Sequence, residues 1–250
     1  MSLPLWNVAH RCNNKEDIGD AIADRANGVE FDVMSDGSDF VVRHPGPIDF
    51  HVPSLKVYLE ALVAAPSAVS LAYVDYKGPD FSSTACARLV SAFRAAGIPK
   101  TGMVVLFSTA SIENAGFFEG LPKARWCVPQ FDQASDPGDC QTCLREMVFS
   151  RAGYADGITS LRLEPERVAE NVGRAIEIQQ GGGIFHWVGV WTLDAMDSMR
   201  RYLRMGVNLI LTNDPDDCAE VLRESEFQAL LHLAARGESP AWRGGPLMKH

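Results

Sequence analysis

Two pairs of charged residues lie two apart inside apolar runs. Glu30 and Asp32 sit in Val29-Glu30-Phe31-Asp32-Val33, and Asp75 and Lys77 in Val74-Asp75-Tyr76-Lys77. In an extended strand this spacing puts both members of a pair on one face, with the apolar neighbours on the other. Three carboxylates from adjacent strands aimed at one point repel, and burying them unpaired costs several kcal/mol each. A hard divalent cation resolves the repulsion. Oxygen donors of this number suit Mg²⁺, and a larger site would suit Ca²⁺. His10 and His44 each end an apolar run, and two imidazoles beside such a metal make a general acid and a general base for neutral pH. Lys77 adds a positive charge for an anionic oxygen. Together these residues are equipped for phosphodiester chemistry.

The surrounding sequence must supply strands that aim them at one place. Short apolar runs alternate with amphipathic stretches throughout. The expected strands are Leu5–His10, Val29–Met34 with Phe40–His44 as its extension, Ser70–Lys77, Met103–Ser108, Trp126–Phe131, Gly157–Leu161, Phe185–Leu193 and Leu209–Thr212. Helical patterns follow each, among them Ser54–Ala65, Ser82–Ala96 before Gly97, Cys140–Arg151, Pro165–Gln179 and Ala195–Arg204 before Gly206. Eight strand–helix units imply a parallel sheet closed as a single (β/α)8 barrel, of the TIM type. An open doubly wound sheet would want a glycine-rich loop after the first strand, where His10-Arg11-Cys12-Asn13-Asn14 stands instead. The barrel is expected over residues 1–236, with a last helix at Phe227–Ala235, and residues 237–250 as a C-terminal tail carrying Trp242. In a barrel the chemistry sits at the C-terminal strand ends, where all six of these polar residues fall.

Composition narrows the partners. The 250 residues carry 32 acidic and 23 basic side chains, a net charge of −9. That field excludes nucleic acid as the partner and disfavours a polybasic membrane patch, while leaving room for one phosphate held locally. The most apolar stretch, Ala61 to Val74, is interrupted by Pro66, Ser67 and Ser70, so no bilayer-spanning helix is expected. Cys140 and Cys143 form the one close cysteine pair and have no second pair to complete a zinc site, so they read as two residues of one helix. Met-Ser-Leu-Pro-Leu-Trp has no leader character, which reads as an intracellular chain or, as the favoured alternative, an exported one whose leader has been removed. In an exported chain Cys127, Cys140 and Cys143 would be candidates for pairing. His51, His186, His232 and His250 fall in loops, the opposite face or the tail and read as structural. Trp191 could be core, or a mouth residue packing a substrate chain or facing a quaternary ammonium.

Val8-Ala9-His10, the two charged strands, His44, Val190-Trp191-Thr192-Leu193-Asp194 and Leu211-Thr212-Asn213-Asp214-Pro215-Asp216 resemble, in order and spacing, the glycerophosphodiester phosphodiesterase-like superfamily. Within it the chain is most similar to the sphingomyelinase D/phospholipase D branch. The short Pro45–Ser54 segment, Asp75, Asn13 and Thr212-Asn213 favour that branch. Arg11, Gly189 and a cysteine-free Pro45–Phe50 depart from it and bear on head-group preference. The resemblance implies His10 and His44 as the catalytic pair, Glu30, Asp32 and Asp75 as Mg²⁺ ligands, and Lys77, Trp191 and Asn213 as substrate-site residues. It implies release of a head-group alcohol such as choline from sphingomyelin or a lysophospholipid, by internal attack that leaves a cyclic phosphate. A glycerophosphodiesterase acting on soluble diesters is the alternative, and a phospholipid-binding barrel without turnover a second one. A lipid substrate would call for transient membrane-surface contact through Ile48, Phe50 or Trp242.

Overall fold

The computed structural model describes residues 2–35, 37, 39–46, 52–132, 135–158 and 166–240. Eight parallel strands close a barrel: β1 (Leu3–Ala9), β2 (Gly28–Ser35), β4 (Leu71–Tyr76), β5 (Val104–Thr109), β6 (Cys127–Asp132), β7 (Ala152–Gly157), β8 (Phe185–Trp191) and β9 (Leu209–Thr212). Each pairs parallel with the next, and β1 closes the ring by pairing with both β2 and β9. Helices α1 (Asp17–Ala23), α2 (Leu55–Ala64), α3 (Ser83–Ala95), α4 (Pro137–Glu146), α5 (Glu166–Gln180), α6 (Met196–Met205) and α7 (Pro215–Val221) lie between strands or after the last. A 3-10 helix, Ile112–Gly120, fills the fourth position. The fold is the (β/α)8 barrel.

Strand alternation makes two cores. Outward residues such as Val29, Phe31, Val74 and Phe107 pack under the helices. Inward residues Trp6, Val8, Leu71, Leu106, Val128, Trp187 and Leu209 fill the barrel, with Trp6 and Trp187 edge to face at 5.8 Å between centroids. The lower interior is therefore apolar, and β1, β2, β4 and β6 bring polar side chains to the cavity at their C-terminal ends. Side-chain caps start several helices where the strands end: Ser54 accepts from Val57 N–H, Ser82 from Ala85 N–H, and Asp136 from Gly138 and Asp139 N–H. Gly206, at φ 105°, ends α6 in the left-handed conformation.

Four expectations change. Phe40–His44 does not extend β2; Phe40–Val42 is a separate strand, β3, antiparallel to it in a hairpin. The sixth barrel strand is Ala152–Gly157, earlier than the expected Gly157–Leu161, of which residues 159–161 lie outside the described residues, and α4 stops at Glu146. There Gly153, Ala155 and Gly157 leave no large inward side chains for an apolar pattern to reveal. Instead of a helix over Phe227–Ala235, a strand β10 (Leu231–Leu233) pairs parallel with β1. The Asn27 amide draws that end in, donating to the Leu5 and Ala234 carbonyls, and long-range pairing overrides the local helical pattern. The six cysteines are all free thiols, with Cys140 and Cys143 on α4 as read. No helix among the described residues is long and apolar enough to cross a membrane. Ile48, Phe50, His51, Pro165, Trp242, His250 and the tail beyond residue 240 lie outside the described residues.

Candidate active site

The eight nominated residues take their places at the C-terminal rim. Glu30, Asp32, Asp75, Lys77, His10, His44 and Trp191 line one cavity of about 60 Å³, together with Arg11, Asp132 and Leu211. Asn213 stands behind His10. Glu30, Asp32 and Asp75 each present a carboxylate oxygen within 4.8 Å of the others. The i, i+2 spacing and the β2–β4 register, which sets Asp32 opposite Asp75, account for this.

The charges of this triad are incompletely balanced. Burial, reinforced by the Asp32 and Asp75 charges, pushes the Glu30 carboxyl well above its usual range, although Arg11 N–H donates to it at 2.6 Å. Burial also raises Asp75, against the opposing pull of Lys77, whose Nζ lies 2.6 Å from Asp75 Oδ2. Burial alone would lower Lys77, yet Asp75 holds it above its ordinary value, so it stays an ammonium. Asp32 is held from both sides by Asn13, which donates to its carboxylate and accepts from its N–H, both at 2.9 Å. Two buried carboxylates and a third, partly buried one, with residual repulsion among them, fit a hard divalent cation.

His10 is oriented by a chain of hydrogen bonds. Asp194 accepts from the Asn213 backbone N–H at 2.9 Å and from its side-chain amide at 2.8 Å. The Asn213 oxygen therefore faces His10 Nδ1, at 3.0 Å. An oxygen there requires Nδ1 to carry the proton, which leaves Nε2 as the lone-pair nitrogen, 4.0 Å from Glu30 Oε2. Burial lowers the His10 pKa, partly offset by the Asn213 bond, so the ring is a neutral base. His44 arrives by the hairpin: β3 runs back along β2, and Arg43 N–H donates to the Asp32 carbonyl at 3.0 Å. The turn returns an exposed imidazole to the level of the triad.

Asp132, at the end of β6, is a site residue that the sequence reading missed. Its carboxyl is buried and pushed up to about 8 by burial and the Asp75 charge, against opposing pulls from the Tyr73 hydroxyl, Lys77 and the Trp191 indole. Its Oδ1 is buried without a partner. The rule that found His10 would have found it, because Asp132 directly ends the run Trp126–Phe131. The Asp194 relay and the Arg11 N–H were not legible, because both depend on loop conformation; Arg11 has φ 57°. At Gly189 the missing side chain leaves room for a neighbour, since a Cβ there would meet Leu209 Cδ2 at 2.5 Å. Gly157 is required by close approach: a Cβ would run into the Trp191 carbonyl oxygen. Gly157→Ala is expected to cost about 1–3 kcal/mol, as overpacking does, and denaturant unfolding that showed no loss would contradict this packing.

Residues 139–242 match the model of the family described as dermonecrotic toxin SPH. Dermonecrotic toxin LlSicTox-betaIA1 of Loxosceles laeta is 23% identical over 95% of this chain and 89% of its own length. LiSicTox-betaID1 of Loxosceles intermedia is 26% identical over 95% and 88%. The chain is similar to these toxins over nearly its whole length. Among solved structures, a glycerophosphodiester phosphodiesterase from Parabacteroides distasonis superposes with a TM-score of 0.65 at 18% identity, over 87% of this chain and 98% of that one. At that identity the likeness is one of fold. In this chain the acidic triad, both histidines and the lysine share one cavity.

Proposed function

We propose that this chain is a Mg²⁺-dependent phospholipase D of the sphingomyelinase D type, releasing the head-group alcohol of sphingomyelin or a lysophospholipid and leaving a cyclic phosphate. The observation that carries the reading is the single cavity lined by Glu30, Asp32, Asp75, His10, His44 and Lys77. A divalent cation held by the three carboxylates would neutralise charge on the phosphodiester. Ca²⁺ is the alternative ion. His10 Nε2 takes the proton from the substrate's own hydroxyl as that oxygen bonds to phosphorus. His44, on the exposed side, gives a proton to the departing head-group oxygen as its bond to phosphorus breaks. Lys77 sets its ammonium toward a non-bridging oxygen. Asn213 and Asp194 keep the His10 lone pair turned inward.

The cavity wall also suits a cationic head group. Asp132 offers a buried carboxyl with an unpartnered oxygen beside the Trp191 ring, and a quaternary ammonium brought between them would favour the ionised carboxylate. The relatives named as toxins make an exported chain part of the same proposal. The narrow cavity of about 60 Å³ favours one rival, a glycerophosphodiesterase taking small soluble diesters.

Phosphorus NMR separates them. With Mg²⁺ and sphingomyelin or lysophosphatidylcholine, a cyclic phosphate resonance is expected, to be abolished by EDTA. Asp132→Asn is expected to slow choline lipids more than the corresponding ethanolamine-free, uncharged head groups. Hydrolysis of glycerophosphocholine to glycerol phosphate with no turnover of lipid would sink the phospholipase D reading.

A further inference from the structure

At the opposite end of the barrel, three cations are gathered without a carboxylate among them. Lys123, Arg125 and Arg151 line a cavity of about 210 Å³, with Phe149 and Cys127, where β6 and β7 begin. Every contact of Lys123 and Arg151 here is neutral. Lys123 Nζ donates to the Met147 carbonyl at 2.8 Å and lies 3.0 Å from the Phe149 ring centroid. Arg151 donates to the Arg125 carbonyl at 3.3 Å and covers the Trp187 ring at 5.1 Å. Among the described residues none of the three cations forms an ion pair. Arg167, Arg174, Arg200 and Arg204 do, each with a carboxylate.

In a chain of net charge −9, three adjacent unpaired cations around a concavity are an arrangement that self-repulsion opposes. The cavity's own ionisable acid, the Cys127 thiol, is pushed up to about 12 by burial and stays neutral. Both Lys123 and Arg151 are lowered, by burial first, with the Arg125 charge adding to the effect at Arg151. The missing element is therefore an anion from outside. The volume lies below the roughly 300–1,000 Å³ of pockets for drug-sized ligands, so the anion is small. The donors are one ammonium and two guanidiniums, the group that matches oxyanions in pairs of hydrogen bonds.

We propose that Lys123, Arg125 and Arg151 form a binding site for a phosphate-class oxyanion at the N-terminal end of the barrel, separate from the acidic triad. A membrane docked on this end would hold the triad's cavity away from the lipid, which favours a free phosphate or phosphate monoester as the source.

The test titrates the full chain with inorganic phosphate in EDTA, by calorimetry, so that the acid-rich triad site cannot recruit phosphate through a metal. Saturable binding is expected. Lys123→Gln and Arg125→Gln, both exposed, are each expected to weaken it at least about tenfold, with thermal unfolding unchanged. Asp75→Asn is expected to leave it intact. No phosphate binding, or binding indifferent to Lys123→Gln and Arg125→Gln, overturns the site. Co-sedimentation with phosphatidylcholine vesicles, with and without phosphatidic acid, separates the sources. Failure to sediment supports a free anion, and retention lost in the same two variants assigns the site to a lipid phosphate.

Discussion

His10→Ala is expected to lower phosphodiester turnover by about 10²–10⁴-fold, the range of a general base removed from its place, while Mg²⁺ affinity is kept. The expectation rests on geometry. Asp194 fixes the Asn213 amide, Asn213 fixes the His10 tautomer, and Nε2 is left facing the cavity, 4.0 Å from Glu30. Nothing in that chain holds Glu30, Asp32 or Asp75 in position, since Arg11 N–H, Asn13 and Lys77 do so independently. Metal affinity and turnover should therefore separate. Single-turnover kinetics with a parallel Mg²⁺ titration measures both. Turnover within tenfold of the parent would remove His10 from the mechanism, and collapse of metal affinity would recast it as a positioning residue.

The second large effect is thermodynamic. Without a divalent ion, the protein is expected to lose stability as pH rises from about 4 toward about 8, and to regain it on adding Mg²⁺. Glu30, Asp75 and Asp132 all have folded-state pKa values above those of unfolded carboxyls, chiefly through burial, and Asp132 reaches about 8. Between the unfolded value near 4 and the folded value, the native state binds more protons than the unfolded one. These groups therefore favour folding at low pH, and that contribution is withdrawn as pH rises. At pH 8, Mg²⁺ at a hundredfold its Kd should restore about 2.7 kcal/mol, or about 5–10 °C in Tm for a chain of this size. Glu30→Gln should behave oppositely in the two states: it removes a repelling charge, so the metal-free Tm at pH 8 rises, but the response to Mg²⁺ is lost. Scanning calorimetry in EDTA and in Mg²⁺ reads both. A wild-type Tm insensitive to Mg²⁺ would deny the triad its cation.

Several features of the site were legible in one dimension. Alternation in a strand is local geometry, so Glu30 with Asp32, and Asp75 with Lys77, were bound to share faces wherever the strands went. Apolar runs ending in polar residues likewise identified the barrel's working rim, and eight such units announced the closed sheet. His10 and His44 were nameable for the same reason.

What the pattern could not carry was anything set by packing between distant segments. The β3 hairpin that returns His44 was read as a continuation of β2, because a strand and its antiparallel return have the same period. β7 was displaced to Gly157–Leu161, since Gly153, Ala155 and Gly157 are small to admit Gln130 and Trp191, a reason that lies on other strands. β10 looked helical until β1 and the Asn27 amide supplied its partners. The carboxyl of Asp132, the relay from Asp194 and the unpaired cations at Lys123, Arg125 and Arg151 likewise became visible only in three dimensions. Sequence spacing determined which side chains share a strand face; burial and neighbouring charge, which require the closed barrel, decided which of them stay ionised, which are oriented and which are left without a partner.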